Sequence, residues 1–269
     1  MGIVYLDPRW FAVMLGSAAA FSALSPLVYA RRFNFFAASL PHAALLAAAL
    51  GYVAAALLGG SPAAWAVLLS LPPSLLLVLL LHRGVSEDSA TSAFVAFTTS
   101  AGVAAVYYVL TSFPARVSLW SYILGDPLLA GWEDAALAVA VAALSIAASL
   151  LLLQKEVSIG LDSDFSSLSG IRVKLHDYAL AALLTLVSVS LLRAVGFVVE
   201  HVALLLPAAI SSRLARNTRE FLALSVLPSL AAALLGLLLA VQLNLAPAAA
   251  YGFVLLAAYL VSLLRGGGA

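Results

Sequence analysis

The chain has 269 residues, of which 64% are hydrophobic and 9% are charged, and its mean hydropathy is +1.12. Since a soluble domain of this length carries about 25% charged residues, the composition indicates a multi-pass membrane protein. The formal net charge of +1 comes without any basic domain, which argues against nucleic-acid binding. Cysteine is absent, which excludes disulfides, thiolate metal sites and cysteine nucleophiles.

The sequence also lacks the motifs of an energy-coupling domain. It has neither a Walker A motif nor a GxGxxG motif, and the connectors between apolar runs are too short to hold an ATPase. The N-terminal stretch MGIVYLDPRW lacks a basic region, so we expect no cleavable signal peptide. We therefore predict one transmembrane domain over residues 1–269. The energy for its activity must come from a separate protein.

Apolar runs of about 20 residues, the length that a spanning helix needs, occur along the whole chain. They predict an all-α bundle of about eight to nine membrane segments. The nine candidate segments are 10–30, 35–58, 62–81, 90–112, 133–153, 177–193, 195–212, 220–243 and 246–264.

The distribution of Lys and Arg predicts the orientation of these segments. With the N-terminus outside and nine spans, ten of the 13 basic residues lie on the cytoplasmic side. Only Arg9, Arg116 and Arg193 then lie outside. This orientation requires 177–193 and 195–212 to be separate spans, because a re-entrant segment there would move the N-terminus inside.

Two stretches are predicted to be irregular. Residues 111–131 contain Pro114, Gly125 and Pro127, which predict a short external or re-entrant helix. Residues 154–176 are the most polar part of the chain and predict a cytoplasmic connector with short helices.

Several motifs occur in an order that resembles the membrane subunits of metal-type ABC importers, which take up zinc, manganese or iron. The first is RRFNFFAASLPHAALLAAALG over residues 31–51, where Phe35, Phe36, Leu40 and His42 fit the family pattern. The others are SEDSATSAF over 86–94, LWSYILGDPL over 119–128 and VGFVVEHVALLLPAAISSRLA over 195–215.

The chain departs from that family at the positions where metal chemistry is expected. Ala38 stands where the family usually has Asp, four residues before its His, and Pro41 stands where it has Ser. An apolar or hydroxyl pair of the family is replaced here by Glu200 and His201. We therefore expect a metal site that is moved or lost relative to the family pattern.

The resemblance implies a homodimeric pore in the cell membrane, two cytoplasmic ATPase subunits that bind the ATP, and an extracytoplasmic solute-binding protein. It implies no covalently bound cofactor. It also implies a short helix that docks on the ATPase, for which Ala208 to Phe221 is the candidate; the positive-inside rule alone also accounts for its Arg residues. The candidate coupling residues are Ala208, Ser211, Ser212, Arg213, Ala215, Arg216 and Asn217.

Three ionisable residues are predicted to share one depth in the membrane. At about 1.5 Å per residue, His42, His201 and Glu200 lie about 15, 18 and 20 Å above the inner face. Ionisable side chains at this depth are usually functional. The alternatives are a neutral His42 bonded to a helix carbonyl, and a Glu200 paired with Arg193.

Imidazole and carboxylate groups together suit zinc, manganese or iron(II). Successive helical positions differ by about 100°, so Glu200 and His201 cannot both point at one ion. We therefore expect His42 and one of these two to be ligands, with the other in a supporting position. In one version of this hypothesis, Glu200 replaces the carboxylate missing at Ala38.

The other charged residues have simpler interpretations. His82 and His176 lie at predicted helix ends, where solvated or capping roles are expected. Glu87, Asp88, Glu133 and Asp134 precede apolar helices and are expected to stabilise their N-termini. The outer acids Asp126, Glu133 and Asp134 are also available to pair with basic residues of a docking solute-binding protein.

Three alternative functions remain open at this point. The first is an ABC permease for a metal chelate, such as a siderophore or corrinoid. The second is a stand-alone secondary transporter or channel, although long broken helices in mirrored halves are missing. The third is a membrane enzyme that uses His42, Glu200 and His201, although no catalytic motif supports it.

Overall fold

The computed structural model describes residues 6–113 and 125–265. Within these two ranges every regular element is helical. The elements are α1 Pro8–Ala30, α2 Asn34–Leu58, α3 Pro62–His82, α4 Glu87–Ser112, the 3-10 helix η1 Pro127–Leu129, α5 Trp132–Leu161, α6 Ser163–Leu168, α7 Val173–Ser211, α8 Thr218–Leu243 and α9 Pro247–Arg265.

Eight of the described helices are long and apolar enough to cross a membrane. The predicted all-α, multi-pass architecture is therefore confirmed. Most predicted segments agree with the observed helices to within three residues. The predicted external helix over 111–131 falls mainly on residues 114–124, which lie outside the described ranges; the rest of it contributes the end of α4 and η1.

Helix α5 extends eight residues beyond its predicted inner end at residue 153. The apolar run stops there, but Gln154, Lys155 and Glu156 are good helix formers and continue the helix into the polar region. Asp162 ends α5 in an extended conformation, and its carboxylate accepts a hydrogen bond of 2.8 Å from the Phe165 amide at the start of α6. The predicted polar connector with a short helix is thus present.

Helix α7 contains two membrane segments that meet at Gly196. This residue has φ 78° and ψ 169°, a conformation that is essentially restricted to glycine, so the helix is broken there. The two limbs correspond to the predicted segments 177–193 and 195–212. Gly125 lies directly against this break, because a Cβ atom on Gly125 would fall 2.0 Å from the Gly196 nitrogen.

The two limbs of α7 run in opposite directions across the bundle. Near the break, Arg193 forms a salt bridge of 2.5 Å with Asp134 at the start of α5. Both ends of α7 lie at the opposite face: Asp177 contacts Arg31, and Ser212 lines a groove that also contains Ala30. With the seven other long helices, the two limbs make nine crossings within residues 6–113 and 125–265, as the N-terminus-outside topology requires.

Helix α1 occupies the centre of the bundle and is buried along nearly its whole length. It packs against α5, α7 and α8, and small polar groups join these helices within the apolar interior. The Ser149 hydroxyl donates to the Ala23 carbonyl at 2.6 Å, and the Ala208 amide donates to the Ser25 hydroxyl at 3.0 Å. Such bonds fix helix register where water cannot compete.

At the inner face, a cluster of ion pairs joins α5, α7 and α3 to Arg31 at the end of α1. The Arg31 guanidinium contacts Glu156 at 2.5 Å and also pairs with Asp177. His176 lies 2.7 Å from Glu156, and His82 lies 2.8 Å from Asp177. The predicted solvated or capping roles for the two histidines are wrong, since both rings are largely buried against these carboxylates.

The topology predicts which positions are open to each side of the membrane. Because the native chain has no cysteine, single substitutions report cleanly. A membrane-impermeant maleimide added to intact cells should label Ser61→Cys, in the outer α2–α3 loop. The same reagent should leave Arg172→Cys and Arg213→Cys unlabelled until the membrane is permeabilised. Labelling of either inner position in intact cells would contradict the topology.

Candidate functional site

His42 lies in the membrane-spanning part of α2 with its side chain exposed at the surface of the single chain. Its Nδ1 atom lies 3.3 Å from the hydroxyl of Thr99 on α4. This contact orients the ring and differs from the expected alternative of a bond to a helix carbonyl. Thr99, in the polar run Thr98-Thr99-Ser100, was not identified from the sequence, although hydroxyls within an apolar helix are a usable signal.

His201 faces the same region from the second limb of α7. The half-buried ring lies beside the Ala38 backbone and within electrostatic range of His42. Its Nδ1 atom lies 3.2 Å from the Phe197 carbonyl, one turn earlier in the helix. The structure therefore places His42 and His201 near one another on neighbouring helices, and it places an imidazole next to Ala38, where the resembled family usually has a carboxylate.

Glu200 is separated from this pair. Its side chain is completely buried, and neither carboxyl oxygen has a hydrogen-bond partner within the described residues. The Ser188 hydroxyl, on the first limb of α7, lies nearby but outside hydrogen-bonding geometry. The expected alternative of a Glu200–Arg193 pair is also not formed, because the Glu200 oxygens carry no hydrogen bond and Arg193 pairs with Asp134.

The arrangement is chemically suited to weak binding of a cation. The two imidazoles offer nitrogen ligands of the type that transition metals accept. Nowhere in residues 6–113 and 125–265 do three or more His, Asp or Glu side chains converge into a metal-binding group. Within the described residues, one chain therefore offers fewer side chains here than the four ligands that zinc usually takes in a closed site.

The candidate coupling segment forms the end of α7 and a tight turn rather than a separate short helix. Ala208 and Ser211 are buried, and the Ser211 hydroxyl lies 2.7 Å from that of Ser225 on α8. The Asn217 side chain accepts a hydrogen bond of 2.9 Å from the Glu220 amide and thereby begins α8. The accessible part is the inner turn, which we define as residues 212–217.

The inner turn forms one wall of a groove with a volume of about 700 Å³. The opposite wall is the end of α5, and residues at the end of α1 and the start of α2 close the groove between them. Arg213 and Arg216 are exposed at this surface. The lining residues are Tyr29, Ala30, Arg32, Asn34, Val157, Gly160, Leu161, Ser212, Ala215, Arg216, Asn217, Thr218 and Phe221.

Comparison with known proteins assigns nearly the whole chain to one protein family. The model of the ABC 3 transport family matches residues 5–266. A probable metal transport system membrane protein from Thermotoga maritima is 26% identical over 226 residues, which cover 83% of this chain and 77% of that protein. The manganese import system permease protein ScaB of Streptococcus parasanguinis is 24% identical over 235 residues, covering 87% and 81%.

The fold also has a counterpart among solved structures. The structure described as PsaBC from Streptococcus pneumoniae in complex with Fab superposes with a TM-score of 0.81. The match covers 95% of this chain and 90% of that chain at 19% sequence identity. The resemblance to metal-type ABC permeases that the sequence motifs indicate is therefore confirmed.

Proposed function

Because the chain belongs to the ABC 3 transport family, we propose that it is the membrane subunit of an importer for a divalent transition-metal ion. A separate ABC ATPase supplies the energy, and a solute-binding protein outside the cell delivers the ion. The names of the two relatives, one a metal transport membrane protein and one a manganese import permease, support this assignment. The observation that carries it is the pair His42 and His201 within the membrane.

We assign the cation path to the surface on which His42 and His201 meet. His42 is exposed in the single chain although it lies in a spanning helix, and facing lipid would leave its polar ring without solvation. Contacts with Thr99 and with the Phe197 carbonyl orient the two rings. Such contacts also hold metal-binding histidines in position. Zinc, manganese and iron(II) all fit these ligands.

A second copy of the chain completes the site in this proposal. A homodimer with its axis beside α2 and α7 brings together two copies of His42 and two of His201. Four imidazoles can hold a divalent cation without any thiolate or carboxylate. The exposure of His42 on the single chain is what such an interface requires. A binding site in a transporter must also release its ion, which imidazoles permit more readily than thiolates.

Glu200 is not an ion ligand in this proposal, and its carboxylate makes no hydrogen bond to either histidine. His201 occupies the space beside Ala38, and Glu200 points into the protein between the limbs of α7. Of the two arrangements expected from the sequence, the geometry favours His42 with His201. The carboxylate missing at Ala38 is then replaced by an imidazole.

The proposed site at His42 and His201 predicts a specific difference among three variants. His42→Ala and His201→Ala should each lower metal uptake by about tenfold or more in proteoliposomes, because each removes two of four ligands from the dimer. Glu200→Gln should keep uptake within about twofold of the unchanged protein, since the amide has the same shape and the group contacts no ion. Uptake of radioactive manganese and zinc by the assembled transporter provides the measurement.

Glu200→Gln is also the matched control for folding, because it changes a completely buried position. Loss of uptake in Glu200→Gln with normal uptake in His201→Ala would reverse the assignment of ligands. Normal uptake in both histidine variants would remove the proposed site.

We also assign the inner turn to contact with the ATPase. Ala215 lies in the middle of this turn and is partly exposed. Ala215→Glu introduces a bulky charge there and should abolish binding of the ATPase, while the protein still inserts into the membrane. Ala246→Glu, in the outer loop between α8 and α9, is the matched control and should bind normally. Co-purification and substrate-stimulated ATP hydrolysis are the measurements. Wild-type assembly and turnover of Ala215→Glu would remove the assignment.

A further inference from the structure

Three large apolar side chains are exposed near the inner end of α5 and on α6. Leu161 is 83% exposed, Phe165 is 66% exposed and Leu168 is 89% exposed. Each exposed apolar side chain in water is unfavourable in proportion to its area. A contiguous apolar patch with such exposure usually marks a contact with a partner or a membrane.

The position of this apolar patch favours a protein partner over lipid. The patch follows Glu156, so it lies on the cytoplasmic side of the ion-pair cluster that closes the inner end of the bundle. Leu161 lines the same groove as Arg32, Asn34, Arg216 and Asn217. Charged and amide side chains of this kind need water or polar partners around them, whereas the acyl chains of lipids contact an apolar surface.

The patch is continuous with the surface already assigned to the ATPase. The inner turn forms one wall of the groove, and Leu161 stands on the other wall. Phe165 and Leu168 lie three residues apart on α6, which follows Leu161 with only Asp162 between α5 and α6. A protein seated on the inner turn therefore meets Leu161 across the groove and α6 beside it.

Local hydrogen bonds fix the orientation in which α6 presents these side chains. The Asp162 carboxylate caps the helix through the Phe165 amide, and Ser166 is buried on the inner side. Ser163 and Ser167 line a second cavity, which also contains Arg31 and His82. The helix thus has one face toward the ion-pair cluster and a different, apolar face toward the cytoplasm.

We propose that Leu161, Phe165 and Leu168 form a second docking surface for the cytoplasmic ATPase, beside the inner turn. This proposal rests on the assignment of the inner turn as an ATPase contact. The proposal requires an apolar patch on the ATPase, next to the ATPase residues that bind the inner turn. Movement of the ATPase would then reach α5 and the first limb of α7 directly, because α6 connects these two helices.

The decisive test measures binding of the purified partner ABC ATPase to the permease in lipid nanodiscs. Phe165→Ser combined with Leu168→Ser should weaken binding by about tenfold or more, and the melting temperature should not change, because both side chains are exposed. Ser163→Ala combined with Ser167→Ala, on the other face of α6, is the matched control and should bind normally.

Ala215→Glu separates this proposal from the assignment on which it rests. If Ala215→Glu abolishes binding and the Phe165/Leu168 variant binds within twofold of wild type, the second surface is wrong and the inner turn stands. If both variants bind normally, the inner turn and the second surface are both wrong.

A fluorescent probe distinguishes the ATPase from other occupants of the patch. Phe165→Cys labelled with an environment-sensitive dye should emit as in water in nanodiscs, and its emission should shift to the blue when the ATPase is added. Blue-shifted emission before the ATPase is added would assign the patch to lipid. A disulfide between two unlabelled Phe165→Cys chains, with no response to the ATPase, would assign it to a second copy. Either result would overturn the proposal.

Discussion

The break of α7 at Gly196 is the constraint on which the rest of the structure depends. A continuous helix of 39 residues would be about 58 Å long, far more than the roughly 30 Å core of a bilayer. The glycine conformation at this point turns the chain back, so that both ends of α7 lie at the inner face. The reversal brings the number of crossings made by the described helices to nine. It also brings His201 opposite α2 and ends the second limb at the inner turn.

Two kinds of polar interaction hold this arrangement in an otherwise apolar bundle. Near the membrane interior, serines such as Ser25 and Ser149 form single hydrogen bonds between helices and fix their register. At the inner end, Arg31 pairs with two buried carboxylates from different helices. Removing one member of such a cluster leaves an unpaired buried charge, which typically costs about 3–5 kcal/mol. The cluster therefore ties α5, α3 and the inner end of the first limb of α7 to the central helix α1.

The number and type of the helices follow from the apolar runs, because a bilayer permits few alternatives to a spanning helix. The break at Gly196 was also predictable, since two segments of spanning length adjoin there. Side-chain partners were less predictable. His82 and His176 lie at helix ends where solvent is expected. Only the folded chain shows that His82 pairs with Asp177 and that His176 pairs with Glu156.

The positions of the Glu200 and His201 side chains also depended on the fold. Neighbouring residues of a helix have nearly the same depth, so depth alone does not tell which one faces α2. The rotation of the second limb, set by the break and by the Ser25–Ala208 hydrogen bond, points His201 outward and buries Glu200. That rotation depends on packing between distant segments. The periodicity of the sequence therefore does not predict this rotation.

The most direct test of this account is the distance between the two ends of α7. Spin labels at Lys174→Cys and Ser212→Cys, measured by double electron–electron resonance in nanodiscs, should lie less than about 35 Å apart, or roughly three helix diameters. Each residue lines a cavity beside the inner end of α1, which is the reason for the short distance. A distance near 57 Å, the length of 38 uninterrupted helical steps, would contradict the reversal at Gly196 and with it the placement of His201 beside α2.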